Sequence, residues 1–469
     1  MADGAAALAR PLDVPPRDRN VDAGIRLLQG AFELDQSTSV GHLGSLFQWQ
    51  GDKPVQQLKQ QLADAYGTLW SFPSTHGTTI LNTLALLSAC PPGGRVLVNR
   101  DAHSSVTAAL IHGELHPVYL VPDYDKELGV SLAPTPADLG AMLERERVDC
   151  IFLTSPNYFG IVGEIDALVA EAHQRGLPVV VDAAHAPHFR FCDLLPRGAE
   201  EVGADLVTQS THKMATALSQ GSLLLINSHH LVEALYEHVN DLGLVSTSFS
   251  YPILASIELA VRQLVDDGQR IWSDAVHRAE VLRRACRQIA GVQCFGGERS
   301  GTRGFARLDT TRVTLHVAGT GHTGLEIERQ LNQRHIYPEM ATIDHLLFLV
   351  TPGTNDADIR ALVDALTDIL RIPLRASRPA APVTPPLPVM ATIPRRAKFS
   401  PKRRIDMSAA VGKISGETIA AYPPGSPVIV AGEVVSYEVL EYLGCLRSHG
   451  APLKGASDPS LRTLKVLDS

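Results

Sequence analysis

The chain has 469 residues, of which 45% are hydrophobic and 20% charged, and its formal net charge is −8. This length and composition predict a large core and two or three domains. An acidic balance argues against nucleic acid as a partner, because phosphate backbones attract basic surfaces. No apolar run is long enough to span a membrane, and the start of the chain lacks the positive region of a secretory signal. We therefore expect a cytoplasmic protein with no nucleic-acid or membrane partner.

Short β-rich runs alternate with helical periodicity from about residue 56 to residue 226. The apolar runs cover residues 95–98, 117–121, 150–154, 179–182, 206–208 and 223–226. Continuous apolar strands separated by helices predict an α/β fold with a mainly parallel sheet covered on both faces. Ligands of such sheets bind at the carboxyl ends of the strands.

A second, smaller α/β domain is expected beyond this sheet. Helical patterns cover residues 251–264 and 272–289, and strand patterns cover 313–317 and 346–350. A proline-rich stretch follows, and its proline density predicts a semi-rigid connector without helix or sheet. The expected domains are an N-terminal arm at 1–35, a large domain at 36–265, the small α/β domain at 266–372, a linker at 373–395 and a C-terminal domain at 396–469.

The segment 209–213, Gln-Ser-Thr-His-Lys, follows one of the predicted strands. A lysine amine that condenses with an aldehyde cofactor must be partly desolvated, and neighbouring hydroxyls can bind the phosphate of that cofactor. Lys213 and Ser210 therefore suggest pyridoxal 5'-phosphate (PLP). A solvated lysine in a strand-to-helix loop explains the same five residues equally well.

Asp182 ends the most β-branched strand, where a buried carboxylate requires a cation. The pyridinium nitrogen of PLP is such a cation, and keeping it protonated makes the ring an electron sink. The alternative is that Asp182 caps the following helix.

Gly77, Thr78 and Thr79 precede a helical run, so backbone N–H groups and two hydroxyls could meet a phosphate. An ordinary threonine N-cap explains the same pattern. His103 could stack its ring on a cofactor or could be a hydrogen-bonded loop histidine. His185 and His188 lie near Asp182, but no third ligand follows at a convincing spacing, so we expect no metal site.

Together and in this order, these segments resemble the Orn/Lys/Arg decarboxylase family of fold-type I PLP enzymes, which have the aspartate aminotransferase-like fold. The cofactor-lysine motif of that family is reproduced without change at 209–213. The other matching segments are residues 77–82, 100–106, 154–160, 182–185, 246–251 and 422–433. The chain resembles a short form of the family without the N-terminal receiver-like domain.

The resemblance implies a role for particular residues of this chain. Catalytic roles fall to Lys213, His103, His212 and Asp182. The implied cofactor contacts are Gly77, Thr78, Thr79, His103, Asp182, Ala184, His185, Ser210, His212, Lys213 and, across a subunit interface, Ser248. Glu339 is the candidate acid for a basic substrate, and a homodimer with sites between the subunits follows.

The implied activity is decarboxylation of arginine, lysine or ornithine to the corresponding amine. The chain departs from the family pattern at Ser104, Ala183 and Ala186, which we expect near the substrate. Those departures favour an alternative in which the same cofactor supports oxidative deamination, transamination or elimination. A catalytically silent homologue is a third possibility, against which Lys213 and Asp182 argue.

Overall fold

The computed structural model describes residues 54–241, 250–371, 384–422 and 425–468. The expected N-terminal arm, Ser248 and residues 373–383 of the expected linker lie outside these ranges. Within them, no helix is both long and apolar enough to cross a membrane.

The described residues contain twenty strands and twelve α-helices. The strands are β1 Trp70–Ser74, β2 Arg95–Asn99, β3 His116–Leu120, β4 Tyr124–Asp125, β5 Val130–Ser131, β6 Cys150–Thr154, β7 Ile161–Val162, β8 Val179–Asp182, β9 Leu206–Gln209, β10 Ser222–Ile226, β11 Gln293–Cys294, β12 Arg307–Leu308, β13 Arg312–His316, β14 Met340–Ala341, β15 His345–Leu349, β16 Lys402–Asp406, β17 Ile419–Ala421, β18 Pro427–Ile429, β19 Leu453–Lys454 and β20 Thr463–Leu467. The α-helices are α1 Pro54–Tyr66, α2 Thr78–Ala89, α3 Ser105–His112, α4 Pro136–Arg145, α5 Ile165–Gln174, α6 Thr211–Met214, α7 His229–Asp241, α8 Tyr251–Cys286, α9 Gly324–Asn332, α10 Asp356–Leu370, α11 Pro394–Phe399 and α12 Tyr437–Ser448.

A seven-stranded sheet with the order β1-β10-β9-β8-β6-β2-β3 organises the first half of the chain. Strands β9, β8, β6, β2 and β3 are parallel, whereas β10 is antiparallel to both β1 and β9. The expected mainly parallel α/β fold is confirmed. The pattern did not identify β1, because Pro73 interrupts a short run that also contains two serines.

Successive residues of the central strands enter cores on opposite faces of this sheet. Val179 and Val181 pack in one core with side chains of α1, α5 and α8. Val180 packs in the other core with side chains of α2, α3 and α7. The alternation of strand side chains explains why β8 has no polar face and reads as a continuous apolar run.

Helix α8 is one helix of 36 residues, so the expectation of two helices at 251–264 and 272–289 is wrong. Exposed residues 265–267 interrupt the apolar pattern without ending the helix. Gly268 is buried there against Phe191, and a Cβ at this glycine would lie 2.7 Å from the Cβ of Phe191. The glycine therefore permits a close approach to Phe191 and is not a helix end.

Two smaller α+β regions follow. Strands β11, β13, β15 and β14 form an antiparallel sheet whose core includes side chains of α8, α9 and α10. A two-stranded sheet of β16 and β20 and a three-stranded sheet with the order β18-β17-β19 pack with α12 around a separate core. The expected linker is not free of helix, because α11 begins at Pro394, a first helical position where proline's missing N–H costs nothing.

Candidate active site

Several predicted site residues meet at one edge of the seven-stranded sheet. Strands β1, β9, β8, β6 and β2 run in the same direction, so their carboxyl ends share this edge. Asp182 ends β8, and Ser210 follows β9. His103 lies in the loop after β2, and the loop after β1 leads to Gly77 and helix α2.

Asp182 is buried and fixed by two hydrogen bonds. Its Oδ2 atom accepts a bond of 2.8 Å from Asn82 Nδ2, and its Oδ1 atom accepts one of 3.0 Å from the Ala184 N–H. No α-helix begins directly after Asp182, so the helix-cap alternative is wrong. The carboxylate is held rigidly at the strand end with acceptor capacity to spare.

Asn82 is a residue to which the sequence interpretation gave no role. Its Oδ1 atom accepts a 2.6 Å hydrogen bond from the Thr208 hydroxyl, and its Nδ2 atom also donates to Ser105 Oγ at 3.0 Å. The available signal was an amide flanked by apolar residues in helix α2, because a buried amide requires partners. Asn82 thus connects β8, β9 and the start of α3.

The N-terminus of α2 faces open space. Gly77 is the N-cap residue, with φ of 79° and no side-chain cap, and a Cβ built on it would meet nothing within 4 Å. The hydroxyls of Thr78 and Ser210 share a short hydrogen bond beside it. The threonine N-cap alternative is therefore wrong, since Thr78 lies inside the helix. Thr79 is exposed one residue further along.

Lys213 lies across from these hydroxyls on the short helix α6, and its Nζ atom is 3.2 Å from His185 Nε2. Its side chain keeps an accessible surface. The protein around it nevertheless lowers the pKa of the amine from 10.5, mainly by burial, while the charge of Asp182 opposes the shift and that of Arg312 adds to it. A lowered pKa raises the fraction of neutral amine that can attack an aldehyde.

His185 is a neutral ring held against Lys213. Burial, followed by the positive charges of Arg312 and Lys213, keeps the pKa of His185 well below its usual range. The ring of Tyr158 packs edge-on at 5.2 Å, and within the described part of the chain His185 Nδ1 has no hydrogen-bond partner. As a neutral ring, His185 can accept a hydrogen bond at Nε2 from Lys213 Nζ.

The two other candidate histidines are also hydrogen-bonded. His103 Nδ1 lies 3.0 Å from Ser105 Oγ and accepts from the Ser105 N–H at 3.2 Å, so the loop-histidine interpretation describes its bonding. Burial lowers the pKa of His103, while the charge of Asp182 raises it. His212 Nδ1 donates to the Gly221 carbonyl at 2.7 Å. Each ring is thereby oriented at the edge of the sheet.

Glu339 is exposed and is linked to the cleft through Tyr158. The Tyr158 hydroxyl donates to Glu339 Oε1 at 2.7 Å, and Tyr158 in turn packs on His185. The negative charge of Glu339 is among the causes that raise the pKa of Lys213, although burial outweighs it. Glu339 thus lies on the side of the candidate site where the Tyr158 ring packs edge-on against His185.

Two of the three family departures lie in the hydrophobic core. Ala183 and Ala186 are buried beside α1 and α5. Ser104 is exposed and precedes α3. The expectation that all three lie close to a substrate stays a prediction, and the two alanine side chains are part of the core.

No cluster of three or more metal-ligating side chains occurs in the ranges that the structure describes. His188 is fully buried, 3.8 Å from Asp309, and its ring packs on Trp272 with the ring centroids 3.9 Å apart. Burial lowers the pKa of His188, despite the opposing charge of Asp309. This histidine is therefore part of the buried interior beside Asp309 and Trp272.

The residues at this edge fit PLP. An aldehyde requires an amine of lowered pKa, which is Lys213, and a pyridinium requires a fixed carboxylate, which is Asp182. A phosphate requires convergent donors, and Thr78 and Ser210 supply them beside the uncapped N-terminus of α2. Ser248, the remaining implied phosphate contact, lies outside the described residues.

This fold and site define the class of fold-type I PLP-dependent enzymes. The structure is similar to that of Sphingomonas wittichii serine palmitoyltransferase, with a TM-score of 0.58 and 15% identity, covering 74% of this chain and 83% of that one. It is also similar to the structure of the E. coli constitutive lysine decarboxylase, with a TM-score of 0.75 and 21% identity, covering 100% of this chain and 81% of that one.

The chain belongs to the Orn/Lys/Arg decarboxylase family. The profile of the family's major domain matches residues 28–312, and that of its C-terminal domain matches residues 385–457. The arginine decarboxylase of Bacillus anthracis is 31% identical over 424 residues, which are 88% of this chain and 85% of that protein. The family resemblance of the sequence motifs is thereby confirmed, and the chain is a decarboxylase-family enzyme.

Proposed function

We propose that this enzyme uses PLP to decarboxylate a basic L-amino acid (arginine, lysine or ornithine) to the corresponding amine and CO2. The observation that carries this proposal is the placement of Lys213, Asp182 and the Thr78–Ser210 pair at one sheet edge. The names of the relatives, arginine and lysine decarboxylase, support the substrate class.

Each residue has a defined task in this proposal. Lys213 Nζ binds the aldehyde carbon, Asp182 holds the pyridinium proton, and Thr78 with Ser210 holds the phosphate. When bound, PLP accepts the electron pair that remains as CO2 departs. His103, in the loop after β2, would contact the bound cofactor, as the family resemblance implies.

The proton that replaces CO2 comes from a group at the same edge. His103 Nδ1 is engaged by Ser105 and His212 Nδ1 by Gly221, so each ring has Nε2 to exchange a proton. Ala184 and His185 belong to the same site, because the Ala184 N–H donates to Asp182 and the His185 ring contacts Lys213.

Glu339 pairs with the distal cation of the substrate, at the end of the cleft where Tyr158 orients its carboxylate. We further propose a cytoplasmic homodimer in which Ser248 of one subunit reaches the phosphate in the other. The basis for this is the family resemblance.

A product assay tests the proposal. The purified protein should absorb visible light as a PLP enzyme does, and borohydride should fix the cofactor on Lys213, as located by peptide mass. Incubation with each basic amino acid should then release CO2 and the corresponding amine in equal amounts. A protein that stays colourless after PLP is added would contradict the proposal that PLP is the cofactor.

The same assay separates decarboxylation from the alternative fates. Because Ala183 and Ala186 lie in the core, those departures give no support to oxidative deamination, transamination or elimination. Keto acid or peroxide formed without stoichiometric amine would nevertheless overturn simple decarboxylation.

A further inference from the structure

The C-terminal region is fixed to the loop that carries His103. Arg100 donates to both carboxylate oxygens of Glu433, at 2.6 and 3.0 Å, and the Glu433 side chain is fully buried. The Ser426 hydroxyl donates to the Asp101 carbonyl at 2.8 Å. A buried bidentate ion pair and a second bond define the position of residues 425–433 relative to His103.

This docking brings two aromatic rings of different regions together. A Cβ built on Gly425 would lie 3.5 Å from His103 Cδ2 and 3.5 Å from Tyr422 Cδ2. Tyr422 follows directly after β17, and its N–H donates to the Pro452 carbonyl at 3.0 Å. The Tyr422 ring is thus held beside His103 by the strand ladder of the C-terminal region.

Lys454 lies on that tyrosine. Its Nζ atom is 3.2 Å from the centroid of the Tyr422 ring, and its backbone pairs with Ala420 between β19 and β17. Among the residues that the structure describes, no carboxylate forms an ion pair with Lys454. Burial is the main cause that lowers the pKa of His103, and the positive charges of Lys213 and Lys454 are further causes.

The charges around the cleft complement an amino acid that has a second basic group. Glu339 offers a carboxylate beside Tyr158, and Lys454 offers an ammonium beside His103. Glu339 therefore lies on the side of the site where Tyr158 packs on His185, and Lys454 lies on the side where Tyr422 and His103 both approach Gly425.

We propose that Lys454 binds the α-carboxylate of the amino-acid substrate and that the C-terminal region is thereby part of the substrate site. The inference rests on the function proposed above. The α-amino group would bond to the cofactor's aldehyde carbon as the bond of that carbon to Lys213 Nζ breaks, the distal cation would pair with Glu339, and the α-carboxylate would pair with the ammonium on Tyr422. A charge-assisted bond of this kind orients the carboxylate before it leaves.

The test compares a ligand that has the carboxylate with one that lacks it. In the PLP-loaded enzyme, Lys454→Met removes the charge and keeps most of the stem. We expect KM for the best basic amino acid to rise about tenfold, as for the loss of one hydrogen bond to a charged group. Inhibition by the amine product, which has no carboxylate, should change less than about twofold. Lys454→Arg should restore most of the affinity.

Two outcomes would overturn the inference. One is an unchanged KM in Lys454→Met, and the other is an equal loss of affinity for amino acid and amine. Lys413→Met, at an exposed lysine of the same region, is the matched control and should behave as the wild type.

A wild-type protein that releases no CO2 from any basic amino acid would contradict the proposed function and not this inference. In that case, titration of the cofactor's visible absorbance with each amino acid and with its amine decides the role of Lys454. A selective loss for the amino acid supports the role, and equal affinities in wild type and Lys454→Met reject it.

Discussion

The floor and the mouth of this site are built in different ways. The floor, formed by Asp182, Asn82, Thr208 and Ser210, is buried, and hydrogen bonds connect its side chains to one another or to Thr78. The mouth, formed by Tyr158, Glu339, Tyr422 and Lys454, has exposed charged groups that each contact one tyrosine. Under the proposed function, the floor would determine the cofactor chemistry, whereas the mouth would determine which substrate enters.

Loss of the covalent anchor should have the largest effect if the floor carries the chemistry. Lys213→Ala should lower turnover by at least about 1,000-fold, because Lys213 supplies the amine that would bind the cofactor. The rate of CO2 release and the circular dichroism spectrum measure activity and fold separately. Lys126→Ala, at an exposed lysine, is the control. Retained activity in Lys213→Ala would refute the assigned role.

A change at the Asp182 carboxylate should have the next largest effect on activity. Asp182→Asn keeps the shape but removes the charge that would hold the pyridinium proton, and we expect kcat to fall about 100-fold, as when one preorganised electrostatic partner is lost. Cofactor binding, followed by visible absorbance, should persist. Asp193→Asn is an exposed control. An undiminished kcat would show that the floor does not act through this charge.

The sequence predicted Asp182 and Ser210 of the floor and Glu339 of the mouth, but it gave no role to the other residues of either region. Asp182 ends β8, Lys213 lies four residues after β9 and Gly77 lies three residues after β1, so a local pattern and the rule on strand ends bring them together. Lys454 lies on the Tyr422 ring, in the region that docks beside His103 where Glu433 pairs with Arg100 across more than three hundred residues of sequence. No local periodicity records such a contact.

The errors of the fold interpretation have the same cause. Helix α8 was divided because a run of exposed residues at 265–267 imitates a helix end, whereas packing of Gly268 on Phe191 keeps the helix continuous. The reversed direction of β10 follows from its pairing with β1 and β9, and a run of apolar residues is the same in either direction.

The stability of the protein should depend on pH through Glu200, which lies close to the floor. Gln209, next to Ser210, donates from Nε2 to Glu200 Oε2 at 3.2 Å. Burial raises the pKa of Glu200 from 4.5 to about 7. The folded protein therefore keeps this carboxyl protonated where the unfolded chain ionises it. The contribution of Glu200 to stability is present below pH 4.5 and is lost as the pH rises through about 7.

Glu200→Gln should remove this dependence. Relative to the variant, the wild type should lose about 2 kcal/mol of unfolding free energy between about pH 5 and about pH 8. Urea unfolding of both proteins at the two pH values measures the difference. Glu233→Gln, at an exposed glutamate, should track the wild type. Parallel stability curves for wild type and Glu200→Gln would show that Glu200 ionises normally.

The smallest effect should come from the mouth, where solvent screens the charges. Glu339→Gln should raise KM for a basic amino acid about five- to tenfold with little change in kcat, because an exposed ion pair contributes about 1 kcal/mol. Tyr158→Phe, which removes only the hydrogen bond that orients Glu339, should raise KM about two- to threefold. Glu144→Gln is the exposed control. If Glu339→Gln instead lowers kcat as strongly as Asp182→Asn does, the division between floor and mouth fails.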